Sequence, residues 1–132
     1  MASRLITDLR NVAGMACAKH LDALRAQGIN YIVTCTLRTN EEQESLYKIG
    51  RTTPGKRVTN AKAGQSAHNY GLAWDIAIMI NGKLNWDLSH PHWQLAGKIG
   101  ESIDGVEWLG NPASKFKEGA HFQLKDWKSY IK

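Results

Sequence analysis

Residues 72–80, Leu-Ala-Trp-Asp-Ile-Ala-Ile-Met-Ile, are apolar at every position except Asp75. A run of that length, apolar on both faces, reads as a strand in the middle of a sheet. Asn81-Gly82 follows at once. That pair is the strongest short signal for a type I′ hairpin turn, so residues 83–86 are expected to return antiparallel. The carboxylate inside the run sets a second constraint. Burying it alone would cost several kcal/mol, so Asp75 needs a cation or a dense set of donors. A structural Asp satisfied by backbone N–H groups meets that need as well as a functional one, and chemistry alone leaves both open.

The other segments supply partners for this strand. Leu5, Leu9, Val12, Ala13, Ala16, Leu21 and Leu24 recur at near-helical spacing ahead of Gly28, which predicts a helix over 4–27 with a weak point at Gly14. Residues 29–36 alternate and are rich in β-branched and aromatic types, a second strand. Thr39-Asn-Glu-Glu42 is a capping-box pattern and opens a helix that stops at Gly50. Arg38 therefore stands at a strand-to-helix corner. Residues 51–66 read as a long surface connection, with a short strand at Val58-Thr59, and a loop of that length is more often functional than idle. Ser89 is expected to cap a helix with Pro91 in its first turn. Residues 106–109, a Gly/Asn/Pro loop and a short strand over 121–124 complete the chain. Helices first, then an antiparallel sheet with helices packed on one side, is an α+β arrangement, and 132 residues make it a single domain, 1–132.

Composition narrows the function. No apolar run approaches the roughly 18 residues of a membrane span, so no stable membrane insertion is expected. Asp8 and Arg10 interrupt the start before an apolar stretch can form, so the chain is expected to be made in the cytosol without a secretory signal. The net charge of +5 favours polyanions: nucleic acid, anionic lipid or anionic wall polymer. The basic residues are densest over 48–62 and 115–132, and no nucleic-acid-binding motif accompanies them. Cys17 and Cys35 read as small buried hydrophobes, with no Cys or His at ligand spacing beside either.

Three residues make a candidate metal set. His68 falls in a turn seven residues before Asp75, and Gly71 lets the chain curl so that both face one point. His121 is the third candidate. Two imidazoles and one carboxylate with a fourth position open form a catalytic zinc arrangement, in which the pKa of a bound water falls to about 7. Such a site needs a carboxylate to move the proton, and Glu118 lies three residues before His121. Taken alone, Glu118 reads equally as a solvated loop residue. His90 and His92 flank Pro91 at a helix start and read as surface or packing residues, and His20 as incidental. The five tryptophans read mainly as core, with Trp108 also placed to wall a cleft.

The segment Ser66-Ala-His68-Asn-Tyr-Gly71-Leu-Ala-Trp-Asp75, with Glu118 three residues before His121, resembles the D-alanyl-D-alanine carboxypeptidase/VanX-like zinc peptidases. Thr36-Leu-Arg38, Gln43, Tyr47, Gly50-Arg51, Val58-Thr59, Glu107-Trp108 and His121-Phe-Gln extend the likeness to phage L-alanyl-D-glutamate endopeptidases, over roughly residues 28–124. The resemblance implies a hedgehog/D-Ala-D-Ala-peptidase-like fold and one zinc ion on His68, Asp75 and His121. It implies Glu118 as general base and acid, and Arg38 as the partner of an oxyanion or a substrate carboxylate. Ser66 and Gln43 fall at substrate-contacting positions. Glu118 stands where the endolysin branch usually has Asp, and Trp108-Leu-Gly110 where it has Trp-Gly-Gly.

The function so implied is cleavage of the L-Ala–D-Glu bond of the peptidoglycan stem by a single-domain phage endolysin. The enzyme is expected to be a monomer, held in the host bacterial cytoplasm and acting in the periplasm and wall after holin-type release. Its basic surface would help approach to anionic envelope polymers. A D-Ala-D-Ala dipeptidase or carboxypeptidase keeps the same chemistry on another bond. A non-catalytic zinc-containing wall-binding module keeps the fold alone, and a basic nucleic-acid binder is the remaining alternative.

Overall fold

The computed structural model describes residues 2–110 and 118–131. The Asn/Pro part of the loop expected after Gly110, with Lys115 and Lys117 of the second basic group, lies outside the described residues. The elements are α1 (Asn11–Ala26), β1 (Asn30–Cys35), α2 (Asn40–Lys48), β2 (Ala73–Ile80), β3 (Lys83–Asn85), α3 (Pro91–Ser102), β4 (Val106–Trp108) and β5 (His121–Leu124). Short 3₁₀ turns lie at Ile6–Asp8, Ala67–Tyr70 and Trp127–Ile131.

The apolar run is the centre of the sheet, whose path is β1-β2-β5-β4 with β3 also paired to β2. All pairings within this sheet are antiparallel. β1 covers one edge of β2; β5 takes Ala73 to Asp75 on the other edge, and β3 takes Ile78 to Ile80. The hairpin turn has both central residues at positive φ, Asn81 at 52° and Gly82 at 77°, as a type I′ turn requires.

Alternation splits β2 into two faces. Trp74, Ile76 and Ile78 are fully buried on the helix side. Across the strands, Trp74 lies opposite Phe122, and Phe122 opposite Trp108. The three rings stack in a row, with centroids 6.2 and 6.4 Å apart. Helix α3 lies flat on this row because Gly97 faces the Trp108 ring and Gly100 the Phe122 ring. A Cβ at either position would meet ring carbons at 2.3 or 2.5 Å. Asp75, His121, Gln123 and Glu107 alternate with these residues and share the opposite face.

Several local expectations shift. The first helix breaks at Leu9-Arg10 rather than at Gly14, which sits inside α1. Val58-Thr59 forms no strand, and the nearest pairing is an isolated bridge between Ile49 and Thr53. The N-cap of α3 is His90, whose Nδ1 accepts from the His92 backbone N–H, while Ser89 turns back to Asp87. His20 is not incidental: it is fully buried, Nε2 bonds the Ala96 carbonyl at 3.0 Å, and Nδ1 accepts from Trp74 Nε1 at 3.1 Å. Burial pushes the His20 pKa down, which keeps the ring neutral and suits this donor-and-acceptor role. Trp74, Trp93 and Trp108 are core, but Trp86 is exposed and stacks on Trp93. Among the described residues no helix is long and apolar enough to cross a membrane.

Candidate metal centre and its cleft

Local sequence sets each candidate ligand in place. Ser66 caps the 3₁₀ turn at Ala67–Tyr70 by accepting from the His68 N–H, and Asn69 returns a bond to the Ser66 N–H. Gly71 ends the turn at φ 68°, pressed against the backbone of Asp8 to Arg10. That reversal brings His68 back over Asp75. His121 lies directly opposite Asp75 in the β2–β5 register. Residues 53 positions apart thus meet because two strands pair.

His68 Nε2 lies 3.1 Å from Asp75 Oδ1, His121 Nδ1 lies 2.9 Å from the same oxygen, and the two nitrogens are 3.2 Å apart. A tetrahedral zinc with ligands at about 2.0–2.1 Å has ligand–ligand edges of roughly 3.3 Å, so the triangle fits one face of such an ion. The chemistry fits too. His68 Nδ1 is 2.8 Å from the Thr36 carbonyl, which only accepts, so that nitrogen carries a proton. A neutral His68 then turns a lone pair toward Asp75. Acceptors gathered this closely in a largely buried spot need a cation between them. His68 and His121 are buried, and the Asp75 side chain is 22% exposed.

Without metal, a proton does part of that work. Burial opposes charge on His68, but the adjacent Asp75 carboxylate and its hydrogen bond outweigh it and push the His68 pKa up to about 10. Burial likewise opposes charge on Asp75, yet His68 and His121 hold its carboxyl well below the usual range.

Cys35 was expected to have no ligand-type neighbour. The strand register corrects that: Cys35 pairs with Asp75 across β1 and β2, past a bulge, and its ligand atom falls within 4.8 Å of those of His68 and Asp75. Its Sγ approaches His68 Nδ1 at 3.6 Å, whereas Asp75 and His121 approach Nε2. The thiol therefore sits on the side of the ring that faces Thr36.

A cleft of about 970 Å³ opens beside the triad and reaches it at His121, with Glu118, Ser66 and Trp108 also among its lining residues. Glu118 is exposed, and its N–H bonds the Leu109 carbonyl at 2.9 Å, which ties it to the strands that carry His121. Trp108 is 3% exposed and donates from Nε1 to the Gly119 carbonyl. The loop over 51–66 reaches the cleft through Thr59 to Ser66. Arg51 pins it, bonding the Tyr47 and Thr59 carbonyls and stacking 3.8 Å over the Tyr47 ring.

Arg38 and Gln43 are not among the residues lining this cleft. Arg38 is half-buried and donates to Gln43 Oε1 at 2.8 Å, with its other terminal nitrogen 3.5 Å from Cys35 Sγ. Gln43, expected to contact substrate, is fully buried: it accepts from Arg38 and donates to the Ala61 carbonyl at 2.8 Å. Its side chain joins Arg38 to the cleft loop. Gln123 and Glu107 belong to the stretches that carry the family likeness but receive no role from it, and both lie on the cleft wall. The signal was available in the β5 alternation, which puts Gln123 on the His121 face. His90 and His92 lie edge to face, with ring centroids 5.0 Å apart, at the start of α3, and neither lines the cleft.

The chain matches the family model described as VanY, D-alanyl-D-alanine carboxypeptidase, over residues 7–130. It is 36% identical over 118 residues to the peptidoglycan L-alanyl-D-glutamate endopeptidase CwlK of Bacillus subtilis (strain 168), covering 80% of this chain and 70% of that one. In fold it is similar to the Serratia marcescens L-Ala D-Glu endopeptidase ChiX, with a TM-score of 0.68 at 20% identity, over 100% of this chain and 93% of that one. It is also similar to the vancomycin-resistance D,D-pentapeptidase VanY, solved in complex with Zn(II), with a TM-score of 0.64 at 16% identity, over 93% and 76% of the two chains.

Proposed function

Because the chain belongs to the VanY, D-alanyl-D-alanine carboxypeptidase, family, we propose that it is a zinc-dependent peptidoglycan peptidase that cuts the L-Ala–D-Glu bond of the stem peptide. The observation that carries the reading is the convergence of His68, Asp75 and His121 on one point, with His121 and Glu118 lining one cleft. The choice of bond is supported by the likeness to CwlK.

His68 Nε2, Asp75 Oδ1 and His121 Nδ1 would hold one zinc ion. When bound, the ion supplies Lewis-acid activation of water and of the scissile carbonyl. Glu118 does the proton work: its carboxylate takes a proton from the attacking water and returns it to the departing amine. Trp108 and the 59–66 loop shape the cleft walls, and Ser66, beyond its capping bond, offers the substrate a hydroxyl. Arg38 presents a permanently charged fork, suited to an oxyanion or a carboxylate, from a mount built by Gln43.

The role that fits this chemistry is a single-domain, monomeric phage endolysin, kept in the host cytoplasm and acting on the wall after release. Its positive charge favours anionic envelope polymers. A second reading, a D-Ala-D-Ala carboxypeptidase or dipeptidase, is favoured by the description of the family model.

Mass spectrometry of purified sacculi after digestion tests the reading. New N-termini of D-Glu are expected; D-Ala release supports the second reading, and intact stems in the presence of zinc contradict both.

A further inference from the structure

We propose that Glu107, acting through Gln123, selects the His121 tautomer that turns its Nδ1 lone pair toward Asp75 and His68. The inference rests on the reading of those three residues as metal ligands.

Strand pairing builds the chain of contacts. Glu107 lies opposite Gln123 across β4 and β5, and His121 opposite Asp75 across β5 and β2. Residues two apart on a strand share a face, so His121 and Gln123 stand side by side. His121 Nε2 is 2.8 Å from Gln123 Oε1, and Gln123 Nε2 donates to Glu107 Oε1 at 2.5 Å.

The direction of the chain is set at its far end. An ionised carboxylate has no proton to give, so Glu107 accepts and the Gln123 amide must turn its nitrogen toward it. The amide oxygen then faces His121, and an oxygen only accepts. His121 therefore carries its proton on Nε2 and a lone pair on Nδ1. Gln123 alone would not decide this, because a free amide presents either end. Asp75 pulls the other way: 2.9 Å from Nδ1, it would draw the proton onto the nitrogen the metal needs. Glu107 is thus a positioning residue. On the other imidazole the Thr36 carbonyl does the same for His68 by backbone alone. Partners of this kind commonly change metal affinity by about 10–100-fold.

The test compares E107Q and the exchanged pair E107Q/Q123E with the parent protein. E107Q keeps the size of the side chain but removes the obligate acceptor, so either amide can flip. The exchanged pair restores it one residue closer, with a carboxylate at 123 that accepts from both His121 and the amide at 107. Two readouts are taken: the His121 tautomer from imidazole 15N–1H spectra of metal-free protein, and zinc affinity by chelator competition, with melting temperature as the check on folding. Parent and exchanged pair should show the Nε2–H tautomer. E107Q should lose it, at least in part, and bind zinc about tenfold or more weakly. The exchanged pair should recover to within about threefold. An E107Q protein with unchanged tautomer and affinity overturns the proposal, as does a folded exchanged pair no better than E107Q. Should the parent bind no zinc, the metal reading falls, while the tautomer spectra still decide the relay.

Discussion

At the scale of single residues, the behaviour of the site depends on which groups hold protons. In metal-free protein the His68 pKa lies above its unfolded value, near 10 against about 6.5, so its contribution to stability is complete below pH 6.5. That contribution is lost as pH rises toward 10. Asp75, held low, contributes above its unfolded pKa of about 3.9, and its share is lost as pH falls through the folded value. Urea titrations in chelator should therefore find the protein less stable at pH 9 than at pH 6, with the slope reduced in H68A. Zinc displaces the same proton, so zinc affinity should rise with pH, and calorimetry in buffers of different ionisation enthalpy should record proton release near pH 7. In the proposed mechanism Glu118 acts on the reaction and not on the ion. E118Q should bind zinc like the parent and lose about 10²–10⁴-fold in kcat. A Glu118 variant that cleaves sacculi at the parent rate would remove that residue from the mechanism.

At the scale of elements, the site is a product of register and of how closely α3 approaches the sheet. A methyl group at Gly97 would meet the Trp108 ring at 2.3 Å, so G97A should cost about 1–3 kcal/mol in denaturant melts and push Trp108 out of the cleft wall. T39A removes the hydroxyl half of a capping box in which both bonds form, and should cost about 1 kcal/mol without touching zinc binding. Much of this was legible in the chain. The capping box, the Asn81-Gly82 turn, β5 and the central apolar strand follow from patterns within a few residues of one another. What escaped depends on pairing between distant strands. Cys35 meets His68 only because a bulge sets it opposite Asp75, and no spacing along the chain records a bulge. Gln43 is placed at the substrate by resemblance, yet the structure gives its side chain to Arg38 and the loop, while Ser66, placed there in the same way, lines the cleft and also caps the turn that carries His68. The misplaced cap of α3 has a local cause. His90 carries an acceptor at the reach of an asparagine Oδ1, another good N-cap, and Asp87 competes for Ser89.

At the scale of the whole molecule, an aromatic row and two glycine contacts support one face of a five-stranded sheet, and the opposite face carries the ligand triangle. Rigidity behind the site lets three side chains from separate segments meet within 3.2 Å. The net charge of +5 belongs to this scale as well. If it assists approach to an anionic wall, lysis rates should fall as ionic strength rises past the range where surface charges are screened. A rate indifferent to salt would leave the charge without that role.

The central claim is that His68, Asp75 and His121, and not Cys35, hold a single zinc ion. Zinc X-ray absorption on active, purified protein tests it most directly. One zinc per chain is expected, with nitrogen and oxygen neighbours at about 2.0–2.2 Å and no sulfur shell near 2.3 Å. A sulfur shell, or full activity with no zinc bound, would contradict it.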